Sequence, residues 1–259
     1  MTWIQTYSGR QFDIAAPTPD MVDLEDISHS LAMQCRYNGH CQHFYSVGEH
    51  SQYVAATVCL AKMANLWLPE AGYAPSAEDE IRILEVSLMP DGTLDPAYTK
   101  TPRAMADAKR LVRQLRPVSE RPIDVLQFGY SRLDSADQAE IRAAFLHDGE
   151  EAYMKDMPTP IKRMCPEYRA LAAPVEAAVF ARFGLSAHLP LSALVKAADH
   201  EVLFVEKAVL LRHEINGWGN TVPRDPRVAV FAASMPIRCL EPREAKVDFL
   251  RCAEIMGIQ

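Results

Sequence analysis

One dipeptide narrows what this chain can fold into more than any other feature. His147-Asp148 follows the apolar stretch Ala143-Ala144-Phe145-Leu146 and is succeeded by Gly149-Glu150-Glu151. An imidazole beside a carboxylate at the end of a helical run, with further acids one turn on, offers the ligand types of a divalent-metal site. Alone the dipeptide is weak, because His-Asp occurs by chance. Two other segments with helical character add to it. His50 lies in Val47-Gly48-Glu49-His50-Ser51 and Asp199 in Val195-Lys196-Ala197-Ala198-Asp199. If all four ligands share one ion, separate helices have to meet there.

The rest of the sequence fits a helical chain with an interruption. Residues 1–22 carry Pro17 and Pro19 and read as an irregular arm on the core. A helix is expected over Asp23–Cys35, with Asp26 as a candidate cap. A polar, His-rich loop follows, with Asn38-Gly39 as its turn signal. Ser46 and Glu49 have capping-box spacing at the head of a helix that runs to about Leu66. Residues 69–134 are proline-rich, with strand-like runs at Ile81–Leu88 and Ile123–Tyr130 around a helix at Ala104–Leu115. They read as an insertion, and 96 residues separate His50 from His147. Helix resumes at Ser135. Asp156–Lys162 is a proline-braced loop, Pro166–Phe183 a helix stopped by Gly184, and Leu191–His213 a long helix carrying Lys196, Asp199 and Glu206. Residues 214–240 are turn-rich, and Glu241–Met256 is a closing helix.

Bulk properties exclude several classes. A chain of 259 residues can bury one large core. Its net charge of −7 argues against wrapping a nucleic-acid polymer. Six cysteines without a CxxC pair form no disulfide framework and suit a reducing cytoplasm. The N-terminus has no basic segment followed by an apolar run, and no stretch reaches the ~18 apolar residues of a membrane span. The expectation is a cytoplasmic protein with no membrane partner.

Four protein ligands leave roughly two octahedral positions open, enough for water and a phosphate oxygen. The cofactor expected is a divalent transition metal: manganese, cobalt, iron or zinc. The mixed set suits the first three better than a structural zinc, which prefers four closed ligands including thiolates. Each residue taken singly also has a bland explanation, as a surface histidine or a capping aspartate. A rival cluster, Cys35, His40, Cys41 and His43, has the residue types of a zinc knot but matches no standard finger spacing.

Arg36-Tyr37-Asn38-Gly39-His40, Phe44-Tyr45-Ser46-Val47-Gly48-Glu49-His50-Ser51, His147-Asp148-Gly149-Glu150-Glu151-Ala152-Tyr153 and Asp156-Met157-Pro158-Thr159-Pro160-Ile161-Lys162 together resemble one branch of the HD-domain metal phosphohydrolases. That branch holds the bacterial HD 5'-deoxynucleotidases and the phage HD-type dATP triphosphohydrolases. The resemblance covers about residues 1–65 and 135–212. It implies an all-α HD fold, here with a mixed α/β inserted segment, in a single domain over 1–259. It implies His50, His147, Asp148 and Asp199 as metal ligands and Glu151 as the acid that handles the attacking water. Asp156 becomes a second acid near the leaving group or sugar. Arg36, Lys162 and Lys196 become phosphate- or sugar-binding cations, and Tyr37 an aromatic that packs on the base. Pro160 belongs to a loop whose stiffness sets the wall of a base pocket.

These assignments make chemical sense, since a triphosphate needs cations beyond one metal. Lys196 lies one turn before Asp199, so both can share a helix face. Each also has a plainer alternative: solvated acids at Glu150 and Glu151, a surface lysine at Lys162, loop stiffening at Pro158 and Pro160, a core aromatic at Tyr37.

The expected activity is metal-dependent hydrolysis of a deoxynucleoside triphosphate, dATP giving deoxyadenosine and triphosphate, with a second ion such as magnesium accompanying the substrate. A 5'-deoxynucleotidase acting on dNMPs is the alternative, and a non-catalytic nucleotide-sensing HD module the second. The resemblance also implies a homo-oligomer, in the host cytoplasm for a phage-encoded member.

Overall fold

A computed structural model describes residues 2–67, 121–212 and 226–259. It is mostly helical, with one two-stranded sheet among the described residues. Strands β1 (Trp3–Gln5) and β2 (Gln11–Asp13) form an antiparallel hairpin in which Ile4 faces Phe12. The first half of the arm expected to be irregular is therefore a hairpin, and the Pro17–Pro19 stretch after it carries no strand. Phe12 is fully buried and stacks on Tyr153 with ring centroids 3.9 Å apart, which ties the hairpin to the core.

Helix α1 (Leu24–Met33) is capped by Asp23, whose side chain accepts from the Glu25 N–H. Asp26, the residue expected to cap it, points back to the hairpin and accepts from Ser8 N and Ser8 Oγ at 2.6 and 2.9 Å. The cap falls on Asp23 because only the residue outside the first turn has extended backbone angles that aim its side chain at free N–H groups.

Helix α2 (Val47–Trp67) is the central element. Residues 47–60 are buried on every face, the pattern of a helix surrounded by others. Ser46 caps it, its Oγ accepting from the Glu49 N–H at 3.0 Å. The reciprocal half of the expected capping box is not made. The Glu49 carboxylate accepts from Cys239 N and Leu240 N instead, anchoring the C-terminal segment. Burial pushes Glu49 up to about 7 against the pull of those amides.

Helix α3 (Pro122–Gly129) overturns the strand-like reading of Ile123–Tyr130. Short apolar runs do not distinguish strand from helix by periodicity. Packing decides here: Ile123 and Leu126, one turn apart, are buried, and α3 packs on α2. Pro122 sits in the first turn, where its missing N–H costs nothing. Gly129 is needed for this approach, because a Cβ there would lie 2.7 Å from Cys59 Sγ. The remainder of the expected insertion, with the run Ile81–Leu88 and the helix Ala104–Leu115, lies outside the described residues.

Helix α4 (Ser135–Phe145) is capped by Asp134 and delivers the chain to His147. Two short helices follow, α5 (Glu151–Met154) and α6 (Thr159–Met164), the second within the stretch expected to be a loop. Helix α7 (Pro166–Arg182) ends before Gly184, which has φ +69°. Helix α8 (Ala193–Leu210) starts at a Ser192 cap. Helix α9 (Pro226–Ala232) occupies part of the expected turn-rich segment, and α10 (Pro242–Ile255) closes the fold. Helices α1, α3, α4, α8, α9 and α10 all pack on α2.

Candidate metal centre

The site begins with the first turns of α2. Ser46 fixes where that helix starts, so His50 projects towards α8. Its Nδ1 lies 2.6 Å from Glu206 Oε1. Glu206 is fully buried and stays ionised: burial would raise its pKa, but Arg36 and His50 outweigh it and lower it. The Nδ1 proton of His50 is therefore committed to Glu206. Nε2 is left facing Asp199 Oδ1 at 3.1 Å and Asp148 Oδ2 at 3.8 Å.

His147 is oriented in the same manner by a different partner. Helix α4 ends at Phe145, and the turn brings His147 Nδ1 to 2.8 Å from the Ala144 carbonyl oxygen. A carbonyl only accepts, so Nδ1 carries the proton and Nε2 turns inwards. There it is 3.1 Å from Asp148 Oδ2 and 3.9 Å from Asp199 Oδ1. The Asp148 oxygen is close, yet His147 Nε2 is a buried atom without a well-formed hydrogen bond. Imidazole nitrogens and carboxylate oxygens, the ligand types of a divalent cation, thus lie side by side here. His50, His147 and Asp148 each place a ligand atom within 4.8 Å of the others and could hold a metal ion. Asp199 stands beside this group and faces both imidazoles. Gly149 permits the turn, because a Cβ there would meet Val179 Cγ1 at 2.9 Å and the Leu146 carbonyl oxygen at 3.0 Å.

The electrostatics favour positive charge at the centre. Burial opposes a charged His147, but Asp148 beside it prevails and pushes the imidazole up to about 10. Burial likewise opposes a charged Asp148, and His147, His50 and Arg36 together hold it well below the usual carboxylate range. Such a field retains a proton or, in competition with it, a cation.

Arg36 and Tyr37 stand behind these residues, against Glu206. Arg36 Nε is 3.2 Å from Glu206 Oε2 and its Nη1 is 3.6 Å from Asp148 Oδ2. The Tyr37 hydroxyl donates to Glu206 Oε2 at 2.9 Å. Tyr37 and Asn38 both take positive φ, 57° and 52°, so this loop is held in a conformation that ordinary residues rarely adopt. Glu206 thus gathers His50, Arg36 and Tyr37 at once.

Glu151 opens α5 and is buried, its backbone carbonyl accepting from Gln34 Nε2. The Gln34 side-chain oxygen accepts from Asp156 N, so one amide positions both expected acids. Glu151 Oε1 is 2.6 Å from Lys162 Nζ, while its Oε2 is buried without a hydrogen-bond partner. Burial, then Asp148 and Asp156, push Glu151 well above the ordinary carboxylate range, with Lys162 opposing them. Glu150 is pushed up to about 8 by burial, Asp148 and Glu176.

Lys196 and Pro160 are exposed, and Lys196 has no carboxylate partner among the described residues. Asp156 is half-buried. Of the rival cluster, Cys35 and Cys41 come together with sulfurs 3.4 Å apart, but His40 and His43 are exposed. The His50 group alone meets the ligand spacing among the described residues. Glu206 and Gln34 had no role expected from the sequence. For Glu206 a signal exists: it lies seven residues after Asp199, two turns along the same helix face, inside the apolar run Val202–Val205. Gln34 has no comparable signature.

No family model matches the chain. It is similar to the uncharacterized protein YfdR of Escherichia coli K12, 24% identical over 207 residues, which is 80% of this chain and 71% of that protein. It is also similar to an uncharacterized protein of Rhodobacter capsulatus, 45% identical over 51 residues, 19% of this chain and 26% of that one. No helix among the described residues is long and apolar enough to cross a membrane.

Proposed function

We propose that this chain is a divalent-metal-dependent phosphohydrolase of the HD type, acting on deoxynucleotides. The observation that carries the reading is the inward-facing, buried His147 Nε2, without a well-formed hydrogen bond, grouped with His50 and Asp148 at ligand spacing. His50, His147 and Asp148 would hold the ion, with Asp199 as the fourth ligand. A divalent ion there supplies Lewis acidity to a phosphoryl oxygen and lowers the pKa of water.

The chain's own residues supply the rest. Glu151, pushed up by burial and neighbouring acids, accepts a proton more readily than an ordinary carboxylate, which suits a base for water. Lys162 stays charged beside it and offers an ammonium to a phosphate oxygen. Arg36 is already set by Glu206 and Asp148, so it reaches a substrate without a further search of rotamers. Asp156, aligned by Gln34, is the second acid, and Tyr37 and Pro160 contribute to a base pocket.

The sequence resemblance favours dATP, cleaved to deoxyadenosine and triphosphate. One observation favours a dNMP instead. Arg36 and Lys162 are each neutralised by a protein carboxylate, which leaves exposed Lys196 to balance a long phosphate chain. The test is to incubate the purified chain with each dNTP and dNMP, with manganese or cobalt and with EDTA. Metal-dependent release of deoxyadenosine and intact triphosphate from dATP is the expected result. Turnover of monophosphates alone assigns a 5'-deoxynucleotidase. No turnover of any nucleotide overturns the enzyme reading in favour of a sensing module.

A further inference from the structure

We propose that Cys35 and Cys41 form a reversible thiol–disulfide pair that clamps the loop carrying Arg36 and Tyr37. The proposal goes beyond the phosphohydrolase reading and does not depend on it. The two sulfurs lie 3.4 Å apart, and both residues are half-buried rather than sealed in the core. A disulfide of about 2.05 Å therefore needs a closure of only about 1.3 Å from the observed 3.4 Å.

The surrounding backbone brings the pair together. Cys35 forms an isolated antiparallel bridge with Ser46, and Arg36 N donates to the Tyr45 carbonyl oxygen at 2.9 Å, which closes the base of the loop. Positive φ at Tyr37, Asn38 and Gly39 turns the chain back on itself. His40 N donates to the Tyr37 carbonyl oxygen, and Gln42 N donates to that of Leu210 at the end of α8. Cys41 is thereby held against Cys35 from both sides. A third thiol, Cys239, is near enough for its pKa to be raised by both, after burial and Glu49. Burial and the hydrogen bond with Cys35 push Cys41 up to about 11, so it rests as a protonated thiol.

The oxidant is a small-molecule disulfide such as oxidised glutathione. One thiolate of the pair attacks it, forming a mixed disulfide and releasing one glutathione thiolate. The second cysteine then attacks the mixed disulfide and releases the other. Two protons leave the protein thiols, two electrons pass to the reagent, and two reduced glutathiones result. Along the chain between the two cysteines lie Arg36 and Tyr37, which bond the Glu206 carboxylate that orients His50, so closure stiffens the segment that supports this carboxylate.

The test uses the full chain, equilibrated in oxidised or reduced glutathione, quenched with N-ethylmaleimide and digested with trypsin. Cleavage after Arg36 separates the two cysteines, so their disulfide is read as two linked peptides. The expected result is a Cys35–Cys41 link that forms with oxidised glutathione and disappears with dithiothreitol. Hydrogen exchange over residues 36–42 should be at least threefold slower in the oxidised form. Cys35→Ser and Cys41→Ser, checked for helix content by circular dichroism, should each abolish the link, and Cys239→Ser should leave it. Alkylation of both thiols after oxidation, one glutathione on each, a preferred link to Cys239, or unchanged exchange over 36–42 would overturn the proposal.

Discussion

Glu206 Oε1 lies 2.6 Å from His50 Nδ1, at the junction of α8 and α2. The same carboxylate takes Arg36 Nε and the Tyr37 hydroxyl on its other oxygen. A fully buried acid that orients one imidazole and neutralises one guanidinium links the loop before α2 to the candidate metal centre.

Removing that carboxylate should weaken metal binding without removing a ligand. Partners that orient a ligating histidine typically change metal affinity by about 10- to 100-fold. Glu206→Ala is expected to fall in this range and also to lose about 3 kcal/mol of stability, because Arg36 is left half-buried beside no acid at that position. Glu206→Gln keeps an oxygen for the His50 N–H and should lose less of both. Calorimetric titration with manganese or zinc, alongside urea unfolding, checks this. Equal affinity in all three proteins would falsify the positioning role.

His147→Ala should abolish metal retention while the helical fold survives. The imidazole's inward nitrogen has no well-formed hydrogen bond to lose, and its outward one gives up a single bond to Ala144. Elemental analysis of the purified variant reads the metal directly, and far-ultraviolet circular dichroism reads the fold. Full metal content in the variant refutes the ligand assignment.

Glu151→Gln should retain metal and lose turnover. General-base contributions are about 10²- to 10⁴-fold, and the side chain sits beside Lys162 rather than in the tight ligand group. The measurement is kcat on the best deoxynucleotide from the substrate screen. A variant within threefold of the parent removes Glu151 from the chemistry.

Glu140 gives a pH dependence remote from the candidate metal centre. Its carboxylate accepts from Ser192 and pairs with Lys62 Nζ, which also pairs with Asp137 at 2.7 Å. Burial would raise Glu140, but Lys62 and Ser192 prevail and lower it below its ordinary value. A depressed folded pKa contributes stability that is fully present above the unfolded value and lost as pH falls through the folded one. Glu140→Gln should therefore be less stable than the parent at pH 7, by about 1 kcal/mol. The gap should narrow as pH falls below about 4.5. Urea midpoints at pH 7 and across the acid range decide it, and a constant gap counts against the pairing.

Gly129→Ala should destabilise the α2–α3 contact. The added Cβ would lie 2.7 Å from Cys59 Sγ and also press on Met63 Sδ, both on α2. Overpacking of this kind costs about 1–3 kcal/mol, which lowers Tm by roughly 2–4 °C per kcal/mol in a chain of this size. A thermal melt unchanged from the parent would show that α2 yields freely.

Legible in the chain alone were the helical class, the Ser46 start that fixes α2, and the imidazole and carboxylate types from which a metal group can be built. These are local properties: capping depends on a side chain and the next few amides, and ligand chemistry on residue type. Which of those residues meet depends on how the helices pack. Packing made Ile123–Gly129 a helix, because burial against α2 outweighs the strand propensity of a short apolar run. It moved the α1 cap from Asp26 to Asp23 and diverted Glu49 from its capping box to the amides of Cys239 and Leu240. It brought Cys35 beside Cys41 without their histidines. Above all it gave Glu206 three partners from the distant 36–50 region, a relationship no local pattern encodes, because it exists only once α8 has packed on α2.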